Sequence, residues 1–205
     1  MLFYGGKTME LWNVIENERI FSFTMPSQIE TVVQSPVVDV MAVGCQDGTI
    51  NLVNLLYDEV LFTFNHREGG VQSISFLTDS ALGLSLMAST THETGSIVFW
   101  DLNARKIHAE MVSPHSGHDV THLSFIPNEP VLVSASEDDN SIKMWFFEKG
   151  QLKPRLLRER SGHAEAPHMI RFYGGLDDPK MQGARNLISC SKDGNLRDIS
   201  LLNEF

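Results

Sequence analysis

Short runs in which apolar and polar residues alternate recur along the whole chain, separated by clusters of Gly, Asp, Asn and Pro. The stretch 117–163 shows the pattern best. It opens on Gly117-His118, passes through VTHLSFI and VLVSAS, turns at EDDNS, reaches KMW and returns to Gly162-His163. Alternation with a period of two residues, bounded by turn chemistry, predicts β-strands of which one face is buried. No long stretch carries helical periodicity, so almost no helix is expected.

The same register returns at Trp12 of LWN, Val53 of LVN, Trp100 of FWD, Trp145 of MWF and Ile199 of DIS. These steps of roughly 40 to 54 residues bracket the period of four-stranded propeller blades. Each of the last four is preceded by a polar turn: QDG at 46–48, HETG at 92–95, EDDN at 137–140 and KDG at 192–194. Asp-Gly between apolar runs signals a hairpin, because Gly supplies the positive φ that the turn needs. A single blade cannot bury both of its faces, so successive units must stack.

The expected fold is therefore all-β, a WD-repeat β-propeller of about four and a half blades, incomplete as it stands. Residues 1–24 read as the end of a blade, with two strands, TMELWN and RIFSFT, and no room before them for two partners. Blades follow at 29–64, 66–111, 117–157 and 162–205, the last with a loop insertion at 174–183 (GGLDDPKMQG). With one partial unit and an open fifth, the sequence reads as a piece of a longer protein, whose open strand edges would invite pairing.

Composition narrows the functions. The chain has 205 residues, 42% of them hydrophobic, and a formal net charge of −10 from 16 basic and 26 acidic side chains. Extensive coating of nucleic acid calls for a basic surface, so it is disfavoured. The local exception is Lys149, Lys153, Arg155, Arg158 and Arg160, read first as a solvated outer strand and second as a contact for RNA phosphate or an acidic partner. No run approaches the ~18 apolar residues of a membrane helix. Cys45 and Cys190 lie far apart and read as reduced, buried thiols.

Several groups imitate chemical sites. His118, Ser136, Asp138 and Trp145 include the residue types of a catalytic triad, but a second set, His163, Ser191 and Asp193, recurs one unit later. A set that repeats in register reads as a structural hydrogen-bond network tying loops to strands, whereas an active site would be unique. His115, His118 and His122 have a spacing that a metal could use, but the cysteines are distant and His122 sits within a strand. Gly5-Gly6-Lys7-Thr8 resembles the end of a phosphate loop, yet the further Gly is missing and strand-like residues follow. Nothing in the sequence calls for a catalytic residue, a metal, a cofactor or a small-molecule substrate.

The framed turn SASEDDNSIKMW and the FWD at 99–101 resemble the WD-repeat family. DNSIKMWFFE at 139–148, PRLLRERSGHAEAPHMIRFYGG at 154–175 and SCSKDGNLRDISL at 189–201 resemble, more narrowly, the Utp twenty-one family of UTP-B subunits of the small-subunit processome. The chain departs from the repeat pattern at Val53 and Ile199, where Trp is usual, and at Phe146 and Ser200, where Asp is usual. The resemblance implies a non-enzymatic scaffold of the nucleolus within the nucleus, partnered by other UTP-B proteins and the U-three snoRNA-containing particle, in pre-18S rRNA processing. RNA contact would be local, through Lys153, Arg155, Arg158 and Arg160. Two alternatives compete: an adaptor of another complex, such as a ubiquitin-ligase substrate receptor, and an enzyme built on a propeller. Generic WD repeats do not dictate RLLRERSGH or IRFYG, which separates the first reading from the adaptor.

Overall fold

The computed structural model describes residues 1–66, 69–79, 82–137, 139–161, 163–173 and 186–201, and among them there are strands and no helix. Five antiparallel sheets follow one another along the chain. The first holds β1 (Leu2–Gly5), β2 (Thr8–Asn13) and β3 (Glu18–Thr24); the second β4 (Ile29–Gln34), β5 (Val40–Cys45), β6 (Thr49–Asn54) and β7 (Glu59–Asn65). The third holds β8 (Val71–Phe76), β9 (Leu86–Thr91), β10 (Ile97–Asp101) and β11 (Lys106–Met111). The fourth holds β12 (Val120–Phe125), β13 (Val131–Ser136), β14 (Ser141–Phe146) and β15 (Arg155–Ser161); the fifth β16 (Pro167–Tyr173), β17 (Asn186–Ser191) and β18 (Leu196–Ser200).

This is an open, incomplete propeller of the expected all-β class. One strand differs from expectation. The first sheet has three strands rather than two, because Leu2–Gly5 pairs with β2 in the register Leu2↔Leu11 to Gly5↔Thr8. The four residues LFYG are too few to show a two-residue alternation. The Gly-Gly-Lys-Thr sequence is the β1–β2 turn, with Gly6 at φ 57° and the Lys7 ammonium donating to the Pro26 carbonyl. The insertion at 174–183 lies outside the described residues.

Successive sheets pack face to face, so the second, third and fourth are covered on both faces and the first and fifth on the face towards their one neighbour. Met9 and Phe21 of the first sheet pack with Val43 and Val53 of the second; Ile50 and Phe64 pack with Met87 and Trp100 of the third. Phe99 meets Leu123, Trp145 and Phe147 of the fourth, whose Val133 and Met144 meet Ile170 and Leu187 of the fifth. Burying each such side chain contributes roughly 1.5–3 kcal/mol. The first strands β4, β8, β12 and β16 contact one another in sequence, and the last strands β7, β11 and β15 are the exposed outer edge.

Two further devices set the geometry. A bulge falls just before the Trp-position residue of each of the first four sheets, at Leu11/Trp12, Leu52/Val53, Phe99/Trp100 and Met144/Trp145, bending the outer pair in the same place each time. Between the third and fourth sheets, side-chain oxygens take N–H groups from the edge of β12 that faces β8 and from the turn after it. Leu123 N donates to Ser73 Oγ at 3.0 Å, Phe125 N to Ser75 Oγ at 2.8 Å and Asn128 N to Thr78 Oγ1 at 2.9 Å. Leu123 N and Phe125 N, which would otherwise be buried unpaired, are thereby satisfied.

Candidate functional site

The fourth sheet contains a continuous chain of side-chain hydrogen bonds. Trp145 Nε1 donates to Ser134 Oγ at 2.8 Å, and Ser134 Oγ lies 2.7 Å from His115 Nε2. On the other side of the ring, His115 Nδ1 is 2.8 Å from Asp139 Oδ2. The directions follow from the donors: indole N–H to hydroxyl, hydroxyl to Nε2, and Nδ1–H to carboxylate. Asp139 also accepts from Ser141 N at 2.9 Å. His115 and Ser134 are fully buried, and burial holds the imidazole below its ordinary pKa against the pull of Asp139. Burial alone would raise the Asp139 carboxyl, but bonds from Ser141 and the facing His115 hold it below its usual range.

The third sheet repeats the core of this arrangement. His66 Nε2 is 2.6 Å from Ser89 Oγ, which accepts from Trp100 Nε1 at 2.7 Å, and burial pushes His66 down to about 4. In the fifth sheet His163 Nε2 meets Ser189 Oγ at 2.8 Å, with Ile199 in the Trp position. There Asp193 Oδ2 accepts from Ala164 N at 2.9 Å, and Asn195 N donates to Oδ1 at 2.8 Å, so backbone donors hold this carboxyl far below the usual range. His163 Nδ1 lies 3.4 Å from Asp193 Oδ2. The second sheet puts apolar groups in the places of the histidine, serine and tryptophan: Met25, Val43 and Val53, all buried in one cluster, while Asp47 keeps its turn bond from Thr49 N at 3.1 Å. Removing the three buried polar partners together leaves none of them orphaned.

Several sequence assignments shift. The histidine of the fourth-sheet network is His115, not His118, and its serine is Ser134, not Ser136. His118 sits half-buried on the turn before β12, and Ser136 Oγ is buried without a hydrogen-bond partner among the described residues. Ser134 and Ser136 share a face of β13 by alternation, so parity could not separate them; reach to Trp145 does. Asp138 lies outside the described residues, and Asp139 makes the contact to histidine. In the fifth sheet Ser189 takes the place expected of Ser191, whose hydroxyl instead donates to the Glu165 carbonyl at 2.6 Å. Trp145 bonds to Ser134, His163 to Ser189, and Asp193 to the backbone of Ala164 and Asn195. Constant spacing is the signal that was missed: His66 precedes Val71 by the same five residues as His115 precedes Val120, and both tryptophans follow their serine by eleven.

Chemically the network is closed. A serine nucleophile needs an open approach, but Ser134 Oγ is occupied by the Trp145 indole and fully buried. His115 faces Ser134 and Asp139, while His122 Nε2 is buried without a hydrogen-bond partner among the described residues and the ring is held at about 4, chiefly by burial. Among the described residues no three His, Cys, Asp or Glu side chains converge as a metal ion requires. Cys45 is buried, Cys190 half-buried, and both are unpaired.

The basic stretch is strung along β15 and the turn before it. Lys153 is exposed, and Arg155 Nε donates to Glu148 at 2.5 Å while its guanidinium lies 5.2 Å over the Phe146 ring. Arg158 also engages neighbouring groups. Arg160 lines a cavity of about 510 Å³ between β15 and β18, with Glu159, His163 and Asp198. Carboxylates thus interleave the cations along this edge.

With the sheets and their networks placed, comparison with known proteins becomes specific: the profile of the WDR36/Utp21 first beta-propeller matches residues 2–148. The chain belongs to the WDR36/Utp21 family. It is 34% identical over 203 residues to the U3 small nucleolar RNA-associated protein 21 homolog of Schizosaccharomyces pombe, covering 98% of this chain and 21% of that one. It is 33% identical over 198 residues to human WD repeat-containing protein 36, covering 96% and 21%. The Saccharomyces cerevisiae U3 small nucleolar RNA-associated protein 21 is 30% identical over 203 residues, with 93% and 20% covered. The chain therefore spans about a fifth of the length of these WDR36/Utp21 relatives. The crystal structure of Saccharomyces cerevisiae Sqt1 shares the fold, with a TM-score of 0.76 at 17% identity over 98% of this chain and 55% of that one. The family-matched range contains the His66 and His115 networks; the His163 network and β15 lie beyond it.

Proposed function

We propose that this chain is a non-enzymatic scaffold in small-subunit ribosome biogenesis, part of a U3 small nucleolar RNA-associated particle in the nucleolus, supporting pre-18S rRNA processing. The observation that carries this is its 30–34% identity, over nearly the whole chain, to proteins named for association with that RNA. Other UTP-B proteins are its proposed partners. The structural networks fit the same reading, because His115, Ser134 and Asp139 are consumed by bonds that tie one sheet together. A rigid stack of sheets can hold several partners at fixed spacing without chemistry. We place Lys153, Arg155, Arg158 and Arg160 as a local contact to RNA, secondary to protein contacts because Glu148 and Glu159 share that edge.

The test is purification of the full-length parent protein from nuclear extract, with rRNA precursors measured after its depletion. Recovery of UTP-B subunits together with accumulation of uncleaved 18S precursors is the expected result. Recovery of a cullin-type ligase or another assembly, with rRNA processing intact, overturns it in favour of an adaptor elsewhere. For the RNA contact, changing Arg155, Arg158 and Arg160 to Glu should abolish RNA crosslinking at β15, and undiminished crosslinking removes that contact.

A further inference from the structure

The strand connections divide between two rims. The β1–β2 and β5–β6 turns lie on one, where Ile29 N bonds to the Gly6 carbonyl and Gln46 N to the Gln28 carbonyl. The β2–β3, β4–β5 and β6–β7 turns lie on the other, and Leu55 N donates to the Asp39 carbonyl at 2.8 Å, tying the last two together. On this second rim every one of the three turns places two apolar residues at its tip: Val14-Ile15, Val37-Val38 and Leu56-Tyr57. All six are between 63% and 96% exposed. Surface turns ordinarily carry Gly, Asn, Asp, Pro or Ser at their tips, as Asp47-Gly48 does on the opposite rim. Six contiguous-sheet apolar tips in water are a local conflict that a binding partner resolves.

We propose that this rim of the first two sheets docks a basic segment of a partner protein, one that inserts apolar side chains among the three tips and sets Lys or Arg around them. The charge of the loops selects this occupant. Residues 13–18, 35–39 and 54–59 carry Glu16, Glu18, Asp39, Asp58 and Glu59 and no Lys or Arg. The same rim turns basic only further along, at Arg105 in the third sheet and Lys149 and Lys153 in the fourth. Carboxylates on either side of the apolar tips repel nucleic-acid phosphate. A second copy docked on this rim would bring like charges together, which costs several kcal/mol per close juxtaposition. A cationic, apolar-anchored peptide satisfies both features. The inference stands on this rim alone and holds whichever assembly the chain serves.

Photocrosslinking tests it. p-Benzoylphenylalanine is placed singly at Ile15, Val38 and Tyr57 of the full-length parent protein in its own cells, with Lys153 as the control position, and crosslinked peptides are sequenced. All three tips are expected to capture one segment of one partner, rich in Lys or Arg and bearing apolar residues, which Lys153 does not capture. The pair Glu16→Lys and Glu59→Lys should lower that yield roughly fivefold or more, because rim charges govern encounter and register. Crosslinks to RNA, to a second copy, to another part of the parent's own chain or to an acidic segment each overturn the proposal. So does the absence of any crosslink above the control.

Discussion

At the scale of single residues, the comparison between sheets shows what a buried polar group requires. Ser134 serves two partners at once, accepting from the Trp145 indole and donating to His115 Nε2. Ser134→Ala strands both, and each buried group left without a partner costs about 1–3 kcal/mol, so the purified chain should unfold at distinctly lower urea. Val43 occupies the same place in the second sheet among Met25 and Val53, and Asn51 opposite it is already bonded to Thr63, so Val43→Ala should cost only the lost methyl groups, about 1–2 kcal/mol. Equal losses for the two would mean that the hydrogen-bond chain carries no weight of its own. The tryptophan register was legible in the sequence because an aromatic or bulky apolar residue after a polar turn is conspicuous. The histidine was not: Gly117-His118 looks like a repeat opening, while the buried partner hides in Pro114-His115, and only counting back from the strand start separates them.

At the scale of elements, strand positions were readable where alternation ran long enough and unreadable where it did not. β4 to β17 came through as alternating runs, whereas β1 needed its partner to become visible. The sequence also could not show how closely successive sheets approach. Gly44 in β5 marks the tightest place: a Cβ there would fall 2.6 Å from Val71 Cγ1, 2.8 Å from Thr31 Cγ2 and 2.9 Å from Val71 Cβ. A glycine inside a strand commonly signals such an approach, but not which element comes near. Both neighbours are β-branched, and Val71 Cβ is fixed to the backbone at the head of β8, so it cannot swing aside as the end of a long side chain would. Gly44→Ala should therefore force the second and third sheets apart and destabilise the chain by roughly 1–3 kcal/mol. An unfolding midpoint equal to that of the unaltered chain would show that the sheets can slide without loss.

At the scale of the whole molecule, the buried histidines are spread over several sheets, and they make stability depend on pH as a set. His66 in the third sheet and His122 in the fourth are each held at about 4, below the ordinary 6.5, chiefly by burial, and His115 is shifted in the same direction. Burial sets the sign, and the groups facing the rings only adjust it. His122 has Arg171 and His168 of β16 nearby, both opposing its protonation, whereas His115 has Asp139 and Glu159, which favour it, and Lys143, which does not. Because the folded rings resist the proton, the unfolded chain binds more protons between these two pH values. Their stabilisation is complete above about pH 6.5 and is lost progressively as pH falls towards 4, at up to about 1.4 kcal/mol per pH unit for each ring. The lowered carboxylates Asp139 and Asp193 fail only further down, when they in turn are protonated. Urea midpoints measured from pH 7.5 to 4.5 should fall steadily below about pH 6, and the pair His66→Asn and His122→Asn should flatten that slope even though it lowers the starting stability. A slope unchanged by the pair would assign the acid sensitivity to other groups, and a midpoint constant across the range would mean that the buried rings accept the proton without loosening the stack.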